Sequence, residues 1–455
     1  MKKNPDKKLP RSWFVLSLVL GLGALLSLVF HLPTVHQIEA WHWPLHERPL
    51  QWSIALPFLL AMFGWIAWLH RSNYRGTIPL LFVAAMAMQW GPALSIGEGV
   101  HALRKHAQFS GHGEFARTGS VGLDKEKVFR DYEKFIQMPS QRFSPSKPPG
   151  QLLAYITIGE MAEAVWPLPK ANISRARDAK HGRMLNFLVF LLPILAASAV
   201  VPLLAIAQRM VPERPAVPVA LFIASPCFAL VQMHFDQAVY PMLALWIWFL
   251  GLRAYESGRP WFWGAILGVG IYLACFVSFS LLPALVILPF LVFSVHKPRL
   301  PNGFLLGTVL GFALTATVFY LQWGYDPVLR YKKAMVYHQE WKQWQGTLSV
   351  YWISIRVNLI ETIWWLGPSL FLPLLWSVKE SRQNERKYLA IGGFLVLLLL
   401  LGFSKTIGEV ARLWLFLLPL PLLLLSKDLK QHQAAILIGM SVLWTMAFKY
   451  MQDFW

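Results

Sequence analysis

The chain has 455 residues, of which 56% are hydrophobic and 14% are charged, whereas soluble domains carry about 25% charged residues. Apolar runs of membrane-spanning length recur along it, so its length cannot be read as a number of soluble domains. The net charge of +19 does not indicate nucleic acid, because the basic residues lie mainly in short turns between apolar runs, where the positive-inside rule places them.

The N-terminal residues 1–11 carry five Lys or Arg and precede an apolar run at 13–30. The run is long for a signal peptide, and no small-x-small cleavage site follows it. We therefore expect a retained first transmembrane helix with a cytoplasmic N-terminus. The two cysteines, Cys227 and Cys275, lie inside apolar runs and indicate neither a disulfide framework nor a metal site.

Hydropathy predicts an all-α fold, a polytopic transmembrane helical bundle of about 13 spans with a large external loop that contains interfacial helices. The predicted spans are 13–30, 51–69, 77–95, 184–208, 215–233, 238–251, 261–279, 281–295, 302–323, 360–376, 391–403, 413–425 and 434–448. Residues 1–76 would form two N-terminal transmembrane helices. Residues 77–455 would form one module with an external catalytic loop at 97–183.

The segment 150–166 decides the predicted topology. It is apolar on one face but contains Glu160 and Glu163, and carboxylates inside a membrane are costly. An amphipathic helix lying in the interface fits better than a span. Six short basic turns then share the cytoplasmic side with the N-terminus, whereas a span here would move five of them outside. They are 71–75, 209–214, 253–259, 297–299, 379–387 and 427–430.

This topology places four polar connections on the external face: 97–150, 234–236, 324–350 and 404–412. The first contains Gly111-His112-Gly113-Glu114-Phe115. Its glycines allow a tight approach to a ligand, and Glu114 is either a general base, a metal or sugar ligand, or a solvated loop carboxylate.

The same connection contains an amphipathic pattern at 124–137, which suits a helix on the membrane surface. Asp124 is either its N-cap or a catalytic residue. Ser146-Lys147-Pro148-Pro149-Gly150 follows. The prolines fix an extended backbone, so that Lys147 is either a phosphate-binding point charge or a lysine snorkelling beside a turn.

The other three connections supply further candidates. Asp236 either caps the next helix or faces a site. In Gly408-Glu409-Val410-Ala411-Arg412, Glu409 and Arg412 either pair with each other or bind phosphate. The aromatic residues of 324–350, with His338 beside them, are either interfacial anchors or platforms for sugar rings.

Nucleotide-binding and hydrolase motifs are absent from the sequence: it contains no P-loop, HExxH helix or GxSxG elbow. A nucleotide-sugar donor is therefore not expected. The sequence leaves open whether a divalent metal ion takes part as a cofactor.

With its glycine-flanked Glu114, its Lys147-Pro148-Pro149-Gly150 stretch, the Asp236 turn and the Glu409–Arg412 turn, the chain resembles the GT-C superfamily of polyprenyl-phosphate-sugar-dependent glycosyltransferases. The protein O-mannosyltransferases and the lipid A aminoarabinose transferases belong to that superfamily, and the similarity extends from about residue 77 onward. Two spans precede the one that should open the module, and the loop lacks the Asp-Glu pair of the mannosyltransferase branch.

The resemblance implies a loop carboxylate that assists attack on the anomeric carbon, carried over to Glu114 with Glu98 as second choice. It also implies Lys147 on the lipid phosphate, helped by Arg412, while His112, Asp236, His338 and Glu409 become candidate substrate contacts.

The function expected from the sequence is transfer of a sugar, with inversion, from a polyprenyl-phosphate donor to an envelope glycan, lipid or protein acceptor. The transfer would occur at the external face of the inner membrane, among membrane lipids and without nucleic acid as a partner. The alternative is a transporter or flippase of a lipid-linked envelope intermediate, which usually carries charges or broken helices at mid-membrane.

Overall fold

The computed structural model describes residues 7–30, 48–97, 99–109, 113–167, 173–230, 235–296, 301–342, 346–382, 384–403 and 406–451. These residues form helices and connecting turns, with no β-strand among them, which confirms the predicted all-α class.

The helices of the first half of the chain are α1 (Arg11–Val29), α2 (Trp52–Arg71), α3 (Ile78–Leu94), α4 (Val100–Phe109), α5 (Gly113–Ser120), α6 (Lys125–Arg130), α7 (Tyr132–Phe135), α8 (Pro149–Val165), α9 (Ile173–Ala197), α10 (Val200–Met210), α11 (Ala216–Ala224) and α12 (Pro226–Leu230). Those of the second half are α13 (Phe235–Glu256), α14 (Pro260–Val277), α15 (Leu282–Val295), α16 (Phe304–Trp323), α17 (Pro327–Lys342), α18 (Leu348–Leu366), α19 (Phe371–Ser381), α20 (Lys387–Phe403), α21 (Val410–Leu413), α22 (Pro419–Ser426) and α23 (Gln431–Met451). The polar connections 97–150 and 324–350 are thus largely helical.

Seven helices in the described ranges are long and apolar enough to cross a membrane, or eight if α18 and the segment Pro368–Ser381, bent by 92° from it, count as one broken span. The seven are Arg11–Val29, Trp52–Arg71, Asp178–Met210, Ala238–Glu256, Pro260–Val277, Phe304–Trp323 and Gln431–Met451. Several shorter apolar helices accompany them. The chain is therefore a multi-span membrane protein by composition, while the count of 13 stays a prediction.

Four of these seven helices leave most of their apolar surface uncovered by protein, as is expected of helices in contact with lipid. Only 17% of the most apolar part of α16 is buried in the protein. This helix packs against α14 through glycines that let the two backbones touch: a Cβ on Gly268 would lie 2.1 Å from the carbonyl oxygen of Thr308, and one on Gly307 would lie 2.1 Å from that of Trp261. Close contact through small residues is how helices associate where the hydrophobic effect is weak.

At one end of the bundle, the short basic turns contact one another. The guanidinium of Arg209 lies 2.6 Å from the carboxylate of Glu256, and the ring of His296 lies 3.5 Å from the same group. In the same turn as Arg209, the buried Arg214 donates to the carbonyl of Leu429.

The turn 427–430, which contains Leu429, contacts or adjoins two further basic turns, 379–387 and 71–75. Arg386 lies 2.8 Å from the buried carboxylate of Asp428, and the backbone N–H of Leu9 donates to the carbonyl of Asp428. The hydroxyl of Tyr74 donates to the carbonyl of Gln431. Five of the six turns named from the sequence thus meet or adjoin this end, together with the N-terminal segment. The sixth, 297–299, lies outside the described residues.

Helices α6 and α7 replace the single helix predicted at 124–137. Asp124 caps α6, because its carboxylate accepts from the backbone N–H groups of Glu126 and Lys127. The apolar face is covered by protein: Phe129 packs against Phe276 of α14 and Trp323 of α16, with ring centroids 5.3 and 5.1 Å apart. The amphipathic pattern is confirmed, but the apolar face predicted to lie on the membrane surface packs against α14 and α16.

Helix α8 begins at Pro149, one residue before the expected start at 150, and its first turn packs against the C-terminal end of α14. A Cβ on Gly150 would lie 2.4 Å from the carbonyl of Phe276, so close packing requires glycine there. Ten residues further on, Glu160 pairs at 2.8 Å with Lys125 at the start of α6.

Candidate functional site

The candidate site is the segment Gln141–Lys147, termed here the clamped segment, together with the side chains that hold it. Glu114 lies in the first turn of α5 and is 4% exposed. Its Oε2 accepts from the backbone N–H groups of Arg142 at 2.7 Å and Phe143 at 2.9 Å. Its Oε1 accepts from the N–H of Ser144 at 3.2 Å and lies 2.9 Å from the Ser144 hydroxyl.

Glycines allow α5 to reach this position. A Cβ on Gly113 would lie 2.1 Å from the carbonyl of Gln108, and one on Gly159 of α8 would lie 2.1 Å from the carbonyl of Gly119. The helices α5 and α8 thus cross in backbone contact, and Phe115 stacks on Tyr155 at 5.7 Å. Glu114 is therefore carried on a tightly packed helix pair.

On its other side, the clamped segment is held by Tyr132 of α7. The phenol oxygen lies 3.2 Å from the carbonyl oxygens of both Ser144 and Lys147. Burial raises the pKa of Tyr132, against the attraction of Arg330. The phenol therefore remains protonated and can donate to these carbonyls.

Helix α17 supplies the third side of the clamp. Arg330 donates through Nη2 to the carbonyl of Pro145 at 2.6 Å, and the hydroxyl of Tyr337 donates to the carbonyl of Arg142 at 2.9 Å. The ring of Trp341 meets that of Phe143 edge-on at 5.5 Å. Tyr337 and Trp341 are two of the aromatic residues of 324–350 that were predicted either to anchor in the membrane or to stack on sugars, and they contact the clamped segment. A third, Trp344, lies outside the described residues.

Lys147 ends the clamped segment in an extended conformation, with φ −121° and ψ 157°. It is half-buried and immediately precedes the Pro148-Pro149 start of α8. The backbone of Lys147 is fixed by Tyr132 and the prolines, so its side chain is attached to a rigid part of the main chain. Such rigidity lowers the entropy that binding a charged ligand would cost.

A cleft of about 530 Å³ opens beside the clamped segment, between it and α17. Three basic residues, Arg142, Arg330 and Lys333, line it together with one carboxylate, that of Glu133. Glu133 lies 3.0 Å from Arg330 and 3.1 Å from Lys333. The charged side chains that line the cleft therefore carry a net positive charge.

A second polar cluster holds the turn before α21. Three residues at helical spacing on α18 are buried in the protein: Ser354, Asn358 and Glu361. Asn358 accepts from the backbone N–H of Gly408 at 3.0 Å and donates to the carbonyl of Thr406. Glu361 accepts from the N–H of Val410 at 3.0 Å.

The residues predicted from the other connections are placed as follows. Glu409 is half-buried and accepts from the Thr406 hydroxyl at 3.3 Å. His338 lies on α17 with its ring 6.5 Å from that of Trp341. Asp236 belongs to the first turn of α13 and Arg412 to α21, but their side chains lie outside the description, as do Glu98 and His112 entirely. Convergence of these residues on Lys147 stays a prediction.

The sequence analysis did not predict the basic cleft beside the clamped segment or the buried polar residues of α18. The α18 triad left a signal, because polar residues at i, i+4 and i+7 in an apolar helix share one face. The cleft left none, since Glu133 and Arg330 are 197 residues apart and neither stands in a motif.

Within the described ranges, no group of three or more His, Cys, Asp or Glu side chains could hold a metal ion. No protein-family model matches the chain, and no curated protein or solved structure matches it. The resemblance to the GT-C superfamily therefore stays a prediction, and the function is argued from the geometry.

Proposed function

We propose that the chain is a membrane glycosyltransferase that moves a sugar from a polyprenyl-phosphate donor to an envelope acceptor. The observation that supports this most is the clamped segment, whose backbone is hydrogen-bonded by side chains of α5, α7 and α17. These contacts fix the main chain at Lys147, directly before the start of α8. A cation held in place before the reaction stabilises charge that develops on a leaving phosphate, and this electrostatic contribution is often the largest in catalysis.

The proposed orientation follows from the cluster of basic turns. Short loops rich in Lys and Arg remain on the cytoplasmic side, so the end that contains Arg209, Arg214 and Arg386 would face the cytoplasm. The site would then face the external side of the inner membrane. A lipid-linked donor, rather than a nucleotide sugar, is the activated sugar suited to that side.

The proposed role of Glu114 is that of a positioning residue. With four donors around its two oxygens, the carboxylate has little capacity left to accept a proton from a substrate. It would instead hold the clamped segment and, through it, Lys147. The carboxylate that activates the acceptor stays a prediction, with Glu98 as the other candidate from the same connection.

The test is incubation of the purified protein with a panel of polyprenyl-phosphate sugars and an assay for released polyprenyl phosphate. We expect release with one of the donors. We also expect a loss of about a hundredfold or more in kcat for Lys147→Gln, because one preorganised electrostatic contact to a developing charge contributes on this scale. Lys134→Gln is the matched control, since that lysine side chain is 87% exposed. Full activity of a folded Lys147→Gln variant would contradict the assigned role, and no release from any donor would contradict the proposed function.

A transporter or flippase of a lipid-linked intermediate is the second candidate, and two observations favour it. The α18 helix and the segment Pro368–Ser381 are bent by 92°, and Glu361 is a fully buried carboxylate on an apolar helix. Broken helices and intramembrane carboxylates are typical of transporters. Movement of a lipid-linked sugar across reconstituted vesicles, without release of polyprenyl phosphate, would favour this function over transfer.

A further inference from the structure

The cleft beside the clamped segment has a charge pattern suited to an anion. Arg142, Arg330 and Lys333 line it and Glu133 is the one carboxylate among its lining residues. Glu133 can neutralise only one of the three cations, although it contacts two of them. The remaining positive charge is held in a concave site, where attraction to a ligand is less screened than on an open surface.

The guanidinium of Arg330 is only partly hydrogen-bonded. Arg330 is 2% exposed; its Nη1 donates to Glu133 and its Nη2 donates to the carbonyl of Pro145. Its Nε is buried and has no hydrogen-bond partner in the part of the chain that the structure describes. A buried N–H without an acceptor is unfavourable, and an oxyanion in the cleft would supply an acceptor for this guanidinium.

The backbone around the cleft is fixed before any ligand arrives. The N–H of Arg142 donates to Glu114 and its carbonyl accepts from Tyr337, while its side chain is exposed. Arg330 and Lys333 lie one turn apart on α17. The three cations therefore project from rigid elements, which favours binding of a compact tetrahedral anion over a diffuse ion atmosphere.

Helix α17 also presents apolar side chains on its outer surface. Val328, Met335 and Val336 are exposed, and the helix starts four residues after α16, the span least buried in protein. An amphiphile in the bilayer could therefore bring its headgroup to this cleft along α17.

We propose that this cleft is a binding site for a phosphate group, carried by a lipid or free in solution. Arg142, Arg330 and Lys333 bind its oxygens, and Glu133 orients two of these cations. The inference does not depend on sugar transfer or on a role for Lys147.

The experiment is titration of the full-length protein, in nanodiscs of zwitterionic lipid, with three probes: a long-chain alkyl phosphate, the corresponding alcohol and inorganic phosphate. We expect the alkyl phosphate to bind and the alcohol not to bind. We expect Lys333→Gln and Arg142→Gln each to weaken binding by about tenfold, the size of one charge-assisted contact. Lys332→Gln is the matched control, because this exposed lysine is adjacent in sequence but does not line the cleft.

Competition by inorganic phosphate distinguishes a lipid-borne phosphate ligand from a free one. Displacement of the alkyl phosphate at similar concentrations would indicate a free phosphate ligand, and failure to displace it would indicate a lipid. Arg330→Lys should also weaken binding, and if that variant does not fold, the two exposed cations still decide the test. Equal losses for Lys332→Gln and Lys333→Gln would overturn the proposal, as would the absence of phosphate binding altogether.

Discussion

At the scale of the residue, the hydrogen bonds of Glu114 distinguish between roles that its sequence motif leaves open. From the sequence, this glycine-flanked carboxylate is either a general base, a metal or sugar ligand, or a solvated loop carboxylate. Here both of its oxygens accept from the clamped segment, three times from backbone N–H groups. These bonds connect α5 to a segment almost thirty residues further along the chain, so the carboxylate stabilises a tertiary contact.

We predict that Glu114→Gln destabilises the protein by about 2–3 kcal/mol, because a buried amide nitrogen would face backbone N–H donors. Thermal unfolding in detergent measures this, and faster tryptic cleavage after Arg142 would report release of the clamped segment. The control is Glu126→Gln, an exposed partner of Arg130 whose loss should change stability by about 0.5 kcal/mol or less. If the Glu114→Gln variant is as stable and as protected as the wild type but inactive in transfer, the catalytic role is the correct one.

At the scale of the element, α18 combines an apolar helix with a buried polar face. Ser354 and Asn358 both donate to the carbonyl of Thr406, and Asn358 and Glu361 accept from the N–H groups of Gly408 and Val410. The turn that bears Glu409 is thus attached to α18 by side chains rather than by regular secondary structure. Its geometry should depend on those side chains.

We predict that Asn358→Leu raises the hydrogen-exchange rate of the Gly408 amide by about tenfold or more, because loss of a buried hydrogen-bond partner costs about 1–3 kcal/mol. The Val410 amide should remain protected by Glu361, and Glu361→Leu should show the reverse pattern. Exchange resolved by fragmentation mass spectrometry measures both sites. Arg356→Gln, an exposed position on the same helix, should change neither, and equal acceleration at both amides in all three variants would contradict the assignment.

At the scale of the whole molecule, charge and polarity divide the bundle into two ends. One end collects the basic turns around Glu256 and Asp428. The clamped segment and its cleft are built instead from the long polar connections 97–150 and 324–350. In the orientation proposed above, the positive-inside rule assigns the end with the basic turns to the cytoplasmic side.

We predict that Cys residues introduced at Lys127 and at Gly258, both exposed positions, are labelled from opposite sides. The native Cys227 and Cys275 would first be replaced by Ala. With a membrane-impermeant maleimide, right-side-out vesicles should label position 127 and inverted vesicles position 258. Labelling of both from one side would contradict the topology, and the exchanged pattern would place the clamped segment in the cytoplasm.

Local features of this protein were predictable because each depends on neighbours in sequence. Hydrophobic runs of membrane length predicted the helical class. The prolines predicted the start of α8 to within one residue, and capping of the next helix was one of the two roles expected for Asp124. In each case the determining interactions are short-range, so one sequence suffices.

Tertiary structure alone decided which surfaces and which polar groups meet. Periodicity showed that α6 has an apolar face, but lipid and an aromatic cluster on α14 and α16 are equally good partners for such a face. Likewise a carboxylate such as Glu114 and a guanidinium such as Arg330 can each bind any donor or acceptor that the fold brings near. Their partners lie 28 and 185 residues away, and only the packing of the helices brings them within hydrogen-bond distance.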